Sequence, residues 1–484
     1  MNLQSERNRK HPYLGRMMEI AMVVFLALYP LRHIHIGLDL WDTGYNYANF
    51  EYMGLDSMDS MWLFSTYIAN FVGHMMTLLP FGKTLLAMNF YTGLTVSFLA
   101  VASYIACTRI FHYGRPITFI GEFFAISLCW CPTALLYNYL TYIFMLLAVI
   151  ALYYGLAKNK RRCLFIAGFF LGLNVFVRFS NLPEVAFIFA VWAYSHLEVA
   201  GKFKDETPNV KRHERKLALT RALNRTFWCV LGYLSVVFVM LCILNITYGF
   251  GSYFDAIRRL FATTDNARDY TAKSMLLGLV KSYQEGGYWL IRIAFFAVCG
   301  VVLCAIGKHI DREFSIKDTP LKGIFEKNFS FLRLAYLFSI VFAVCSLLWL
   351  YRREFLFNEM GGYGSILLPG MVISLIIVIT CIVRIAEPQV EINEKLQAGL
   401  VLIIVLITPI GSNNGLFPVF NNLFLVAPFF VSCIWRFMKI KEWDCIGRDY
   451  LRKYCKDKKG IYKVVITVKS YLSLVPVKIV LDYS

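Results

Sequence analysis

Charge is scarce in this chain. Asp, Glu, Lys and Arg make up 17% of its 484 residues, hydrophobic residues make up 58%, and mean hydropathy is +0.56. So few charges cannot cover a water-soluble domain of this length, and composition excludes one. Cysteine patterns are lacking too. The thirteen cysteines include no CxxC pair and no Cys/His metal spacing, and Cys129 and Cys131 have one residue between them, a spacing that rarely permits a disulfide. They read as small apolar packing residues. No internal repeat is visible, nor a matched pair of Gly/Pro-broken apolar segments, which weighs against an inverted-repeat transporter. The first apolar segment, about 19–35, lacks a small-residue cleavage site and reads as an uncleaved anchor.

What the chain has is apolar runs. Stretches of about 18 or more residues recur from end to end, each long enough to cross a hydrocarbon core of about 30 Å as a helix. The expected fold class is all-α: a polytopic membrane protein with about twelve transmembrane helices. They fall at roughly 17–37, 85–107, 117–135, 138–157, 162–178, 183–197, 226–248, 289–307, 331–350, 363–384, 396–411 and 417–436. A net charge of +18 would ordinarily point to nucleic acid, but its placement points elsewhere. With the N-terminus inside, 38 of the 49 Lys and Arg fall in inner segments and 11 outside or at outer helix ends. This is the positive-inside bias. It puts both termini in the cytoplasm and makes the chain multi-pass in the cell (inner) membrane, with no nucleic-acid partner.

In this reading residues 1–438 form the membrane domain and 439–484 a basic cytoplasmic tail, with a β-like run from Tyr462 to Val468. The inner segment 196–225 carries Lys211-Arg212-His213-Glu214-Arg215-Lys216. Both read as solvated faces that fix topology, with anionic lipid headgroups as the alternative partner. Two outer segments are long. The first, 38–83, holds Asp39, Asp42, Glu51, Asp56, Asp59 and His74, then an amphipathic stretch from Met61 to Leu79; two short surface helices suit it. The other, 249–288, is the fourth outer loop. It puts Phe254, Ile257, Leu260 and Phe261 on one helical face, with Asp255, Arg258 and Arg259 off it, and a second amphipathic stretch runs from Ser274 to Tyr283. Membrane-surface helices are expected in both loops.

The run Leu38-Asp39-Leu40-Trp41-Asp42-Thr43-Gly44-Tyr45-Asn46-Tyr47 directly follows the first apolar segment. One reading is an interfacial aromatic belt with solvated acids. The other is chemistry, because a carboxyl against apolar and aromatic surface moves toward the range a general base needs. Asp42 is the leading catalytic candidate and Glu51, nine residues on, the second. Asp39 and Asp42 would hold a divalent metal, Mg or Mn, if one takes part. Arg178 ends the fifth span in Val175-Phe176-Val177-Arg178-Phe179-Ser180-Asn181; such an Arg either snorkels to the interface or binds a phosphate or carboxylate. Arg352 and Arg353 follow the ninth span at its outer end, against the charge bias. Their forks suit a phosphate, with Glu354, Glu359 or the first-loop acids as the alternative partners. Lys83 is a further candidate for a lipid phosphate, while His74, in an apolar stretch, reads as structural. Gly411-Ser412-Asn413-Asn414-Gly415 is either a plain turn or a place where Asn413 and Asn414 bond sugar hydroxyls. Arg258 is the candidate sugar or acceptor contact of the fourth loop.

Together these features resemble the GT-C superfamily of integral-membrane glycosyltransferases, and more narrowly the bacterial relatives of protein O-mannosyltransferases and aminoarabinose transferases. The likeness lies in a cytoplasmic N-terminus, one span, and a long outer loop with an acid soon after it. It continues in the basic inner loop Lys158-Asn159-Lys160-Arg161-Arg162 and the Gly-rich fifth span Ala167-Gly168-Phe169-Phe170-Leu171-Gly172, which ends at Arg178. It covers about the first 200 residues well and the remainder in topology. The resemblance implies that Asp42 is the first-loop catalytic acid and that the donor is a polyprenyl-phosphate sugar entering from the membrane. One departure stands out. Relatives often carry Asp-Glu or an acid-x-acid pair here, whereas Asp42 is followed by Thr43 and Asp39 lies too early; a clamp of cations alone is the alternative to a metal.

The expected activity is transfer of a sugar from polyprenyl phosphate to a glycan, lipid or protein acceptor at the outer face. Arg178, Arg352, Arg353 and Lys83 would hold the donor phosphate. An O-antigen-type polysaccharide polymerase or ligase is the alternative, for which Arg258, Arg259 and Arg268 would matter and Asp42 would not. A lipid-linked glycan transporter or flippase would want ionisable residues at mid-membrane. Glu122 and Glu184 are the residues to consider, and the spans put both near their ends.

Overall fold

The computed structural model describes residues 12–35, 42–55, 58–129, 136–200, 208–266, 271–285, 287, 291, 295, 361–411 and 415–437. Among them the fold is all-helical, with no strand. Helix α1, Pro12–Leu28, runs on into a 3-10 turn, Tyr29–His33. The first outer segment then forms three short helices rather than two: α2, Asp42–Glu51; α3, Ser60–Ser65; and α4, Tyr67–Thr77. Asp59 caps α3, its carboxylate accepting from Met61 N at 2.7 Å. The amphipathic stretch breaks at Thr66 (φ −139°, ψ 42°). The Asn70 amide takes up the carbonyls released there, donating to Trp62 O at 3.0 Å and Leu63 O at 3.2 Å.

Helices α5, Leu85–Arg109; α6, Arg115–Leu128; α7, Leu136–Ala157; and α8, Arg161–Val177, fall on the expected apolar runs, but α6 ends before the expected 135, where Cys129 turns extended (φ −75°, ψ 153°). The run expected to be helical from 183 starts instead as a 3-10 stretch, Phe179–Phe187, before α9, Ile188–Ala200. Pro183 is the reason: it has no N–H, and it disfavours helical backbone at the residue before it. Helix α10, Pro208–Tyr248, has 41 residues and so a length of about 60 Å. Much of the inner segment 196–225, including its basic run, is therefore a continuation of a membrane-type helix rather than a separate loop. The segment expected as the fourth outer loop holds α11, Ser252–Asn266, and α12, Ala272–Glu285.

The last described helices are α13, Gly361–Ala386; α14, Ile392–Ile407; α15, Phe417–Asn421; and α16, Val426–Phe437. Helix α14 stops short of the expected 411; Thr408 keeps helical backbone, but Pro409 has no N–H to give the Val405 carbonyl. The expected single helix over 417–436 is split. Pro428 has no N–H to offer the Phe424 carbonyl, which accepts from Ser103 Oγ at 2.7 Å instead. The expected spans at 289–307 and 331–350 and the run at 462–468 lie outside the described residues, the first except for residues 291 and 295.

Among the described residues three helices are long and apolar enough to cross a membrane: Leu85–Arg109, Tyr137–Ala157 and Arg215–Tyr248. The third keeps little of itself inside, and Phe227, Leu234, Phe238 and Ile246 are all more than half exposed. An apolar face of that length suits hydrocarbon, not water. Helices α8 and α10 meet backbone to backbone. A Cβ at Gly168 would overlap the Cys229 carbonyl, one at Gly232 the Phe165 carbonyl, and one at Gly172 would stand 2.7 Å from the Tyr233 carbonyl. Small residues permit this close crossing in membrane bundles. By compactness the chain divides into Met1–Phe430 and Val431–Ser484; of the second unit only 431–437 are described.

Candidate functional site

Helix α8 ends where Arg178 turns extended (φ −156°, ψ 124°). The residues around it are anchored in different directions. Phe176 is buried with Leu63 and Phe64 of α3, Leu244 of α10, and Tyr253, Ala256 and Ile257 of α11. Val177 is buried with Phe50 of α2, Ala69 of α4, Met88 of α5 and Leu140 of α7. Phe179 stands edge-on to Phe261 of α11, ring centroids 5.7 Å apart. Arg178 therefore sits at the seam of two apolar clusters: the segment 42–77 contributes to both and 252–266 to the one around Phe176.

Its guanidinium is half-buried and held only by neutral groups. Nη1 reaches Asn138 Oδ1 at 3.5 Å, Nη2 reaches Gly411 O at 3.5 Å, and Cζ lies 4.9 Å from the centre of the Tyr137 ring. Both hydrogen bonds are at the long limit, and they engage two of the five N–H donors. Among the described residues no carboxylate lies within ion-pair distance of Arg178. A cation left in this state has donors and charge to give to an anion.

The Gly411–Gly415 turn is brought to the same place. Both glycines have positive φ, +86° and +56°, which suits residues without a side chain. A Cβ at Gly411 would stand 2.6 Å from Ser180 Cβ, and one at Gly415 would overlap Ser282 Oγ of α12. The turn is gripped by the Arg178 segment at one end and by α12 at the other. Asn413 and Asn414, between the glycines, lie outside the described residues, as do Arg352, Arg353, Arg268, Asp39 and Trp41.

Asp42 is the first residue of α2, and only its backbone is described. Glu51 is the last residue of the same helix and is exposed. Nine residues of helix separate them by about 14 Å along the axis, so the helix does not bring the two acids to one point. The flanking aromatics are used for packing. Tyr45 meets Trp62 of α3 edge-on at 5.0 Å, and the Tyr47 hydroxyl donates to the Lys83 carbonyl. The Lys83 side chain is exposed. His74 Nδ1 lies 2.8 Å from Phe50 O, and since a carbonyl only accepts, that nitrogen carries the hydrogen; His74 ties α4 to the end of α2. Arg258 is exposed, and its neighbour Arg259 pairs with Asp59 at 3.6 Å and with Ser60 Oγ. The buried face of α11 is Tyr253, Ala256 and Ile257, while Phe254 and Phe261 of the expected apolar face are 59% and 47% exposed. Among the described residues no group of three or more His, Cys, Asp or Glu is placed to hold a metal ion.

No family model, curated protein or solved structure matches this chain. The site is therefore argued from its own geometry. That geometry includes residues that sequence reasoning passed over. Tyr137 and Asn138, at the start of α7, contact Arg178 directly. Asn174 and Asn181 are buried polar residues four before and three after Arg178, joined by Glu184, which the sequence offered only to a transporter. Polar residues at such spacing inside apolar runs are the signal that could have found them.

Proposed function

We propose that the chain is a membrane-embedded glycosyltransferase that moves a sugar from a polyprenyl-phosphate donor to a glycan, lipid or protein acceptor at the outer face. The observation that carries this reading is Arg178, a half-buried guanidinium with no carboxylate in ion-pair range among the described residues. In the reaction the acceptor oxygen bonds to the sugar's anomeric carbon, and the bond from that carbon to the phosphate oxygen breaks. The electron pair leaves with polyprenyl phosphate, and Arg178 holds that phosphate in the donor and in the leaving group alike. Asp42 takes the acceptor's proton as general base. Arg352, Arg353 and Lys83 assist with the phosphate, Glu51 supports the base, and Asn413, Asn414 and Arg258 contact sugar or acceptor. The topology that accompanies this reading has about twelve spans, surface helices in the first and fourth outer loops, and both termini in the cytoplasm.

The test is sugar transfer by the purified protein in nanodiscs, with a polyprenyl-phosphate sugar and a panel of acceptors, with and without chelator. Transfer is expected. Loss of transfer on chelation would add a divalent ion at Asp39 and Asp42. Donor turnover absent under every condition overturns the reading.

One observation favours a second reading, a lipid-linked glycan transporter. Glu122 is the eighth residue of the 14 in α6, mid-helix rather than near an end. It is fully buried, neither of its carboxyl oxygens has a hydrogen-bond partner among the described residues, and the Ser103 hydroxyl donates to the Phe424 carbonyl. An ionisable group inside a membrane bundle is costly and usually functional. Glu122→Gln separates the two readings: a transporter loses glycan translocation in vesicles, whereas the transferase keeps its transfer rate.

A further inference from the structure

The Arg178 break is surrounded by a polar network that an apolar bundle would not need. Thr141 of α7, Asn174 of α8, and Asn181 and Glu184 of the 3-10 stretch are 6%, 0%, 8% and 3% exposed. Asn174 Nδ2 donates to both Glu184 oxygens, at 2.7 and 2.9 Å, and to Thr141 O at 3.1 Å. Asn181 Nδ2 donates to Thr141 Oγ1 at 2.8 Å and to Asn174 O at 3.0 Å. The Arg178 backbone is tied to the same two asparagines: its N–H donates to Asn174 O at 3.2 Å, and its carbonyl accepts from Asn181 N at 3.0 Å.

The network is not arranged for stability alone. Among the described residues the buried carboxyl is met by one amide, and Asn174 Oδ1 is buried without a hydrogen-bond partner. A half-satisfied buried network is less stable than apolar side chains of the same size. What it does achieve is geometric. It fixes the one residue at which α8 stops being a helix, and so fixes where the Arg178 guanidinium emerges beside Tyr137, Asn138 and Gly411.

We infer that Asn174, Asn181 and Glu184 are positioning residues for Arg178, holding its backbone so that the guanidinium meets the phosphate of the donor. This rests on the reading of Arg178 as the donor-phosphate contact. A displacement of about 1 Å at such a contact is enough to weaken it strongly.

The experiment has one readout that needs no sugar transfer. Phenylglyoxal modifies arginine, and its rate at Arg178 is followed by mass spectrometry of the peptide, with and without inorganic pyrophosphate. Wild type should be protected by pyrophosphate. Asn181→Ala and Glu184→Ala should lose the protection and raise the donor KM by at least about tenfold with kcat little changed. Glu184→Gln, which keeps an acceptor for Asn174, should retain both. If Asn181→Ala fails to fold, Thr141→Val replaces it, being isosteric and lacking only the Oγ1 acceptor. Protection that survives in Asn181→Ala (or Thr141→Val) and Glu184→Ala overturns the positioning role, whatever the activity. Protection in wild type without any sugar transfer defeats the transferase reading and leaves the positioning role standing. No protection in wild type defeats both.

Discussion

Tyr137, Asn138 and Gly411 hold the Arg178 guanidinium without neutralising it. If its charge is there for the donor phosphate, Arg178→Ala removes a charge-assisted contact of about 1.5–3 kcal/mol, or roughly 10- to 150-fold in donor KM, with kcat little changed. Arg178→Lys should recover part of this, since the charge returns without the fork. Steady-state rates over a range of donor concentrations check both, and an unchanged KM in Arg178→Ala removes this residue from the site. Arg178 and the Gly411 turn were legible in the sequence because a charge at a span end and a Gly-rich link stand out against apolar runs. Asn174 and Asn181 were not. A single amide in an apolar run only lowers its hydropathy, and these two become partners because the chain leaves the α-helix at Arg178.

Apolar runs located many of the elements well: 85–107 against Leu85–Arg109, 138–157 against Leu136–Ala157, and 162–178 against Arg161–Val177. They failed where proline chemistry or a neighbour decides. Pro183 and Pro428 break helices that hydropathy would continue. The buried face of α11 is narrower than its apolar face because α3, only six residues long, covers just part of it. The Gly-rich stretch of α8 also has a purpose that periodicity does not state, since Gly168 and Gly172 let α10 touch it backbone to backbone. Gly168→Leu should therefore force the two helices apart and destabilise the fold by about 1–3 kcal/mol or more. Thermal unfolding in detergent measures this, and an unchanged melting temperature would mean the helices do not cross as described.

The proposed topology joins the distribution of charge, the exposed apolar face of α10 and the segments 42–77 and 252–266 packed around one helix end. It predicts that α12 lies on the side opposite the basic segments 158–162 and 211–216. A lone cysteine at the exposed position of Gln284 in α12, on a cysteine-free background, should react with an impermeant maleimide only from outside the cell. Reaction only from the cytoplasmic side would place the proposed site in the wrong compartment. The chemistry itself is tested most directly by the initial rate of sugar transfer from a polyprenyl-phosphate donor, compared between wild type and Asp42→Asn at matched thermal stability. Asn is nearly isosteric but cannot take the acceptor's proton, so kcat should fall by about 10²–10⁴-fold while the donor KM holds. An Asp42→Asn protein as fast as wild type contradicts the account and moves the polymerase reading, with Arg258, ahead of it.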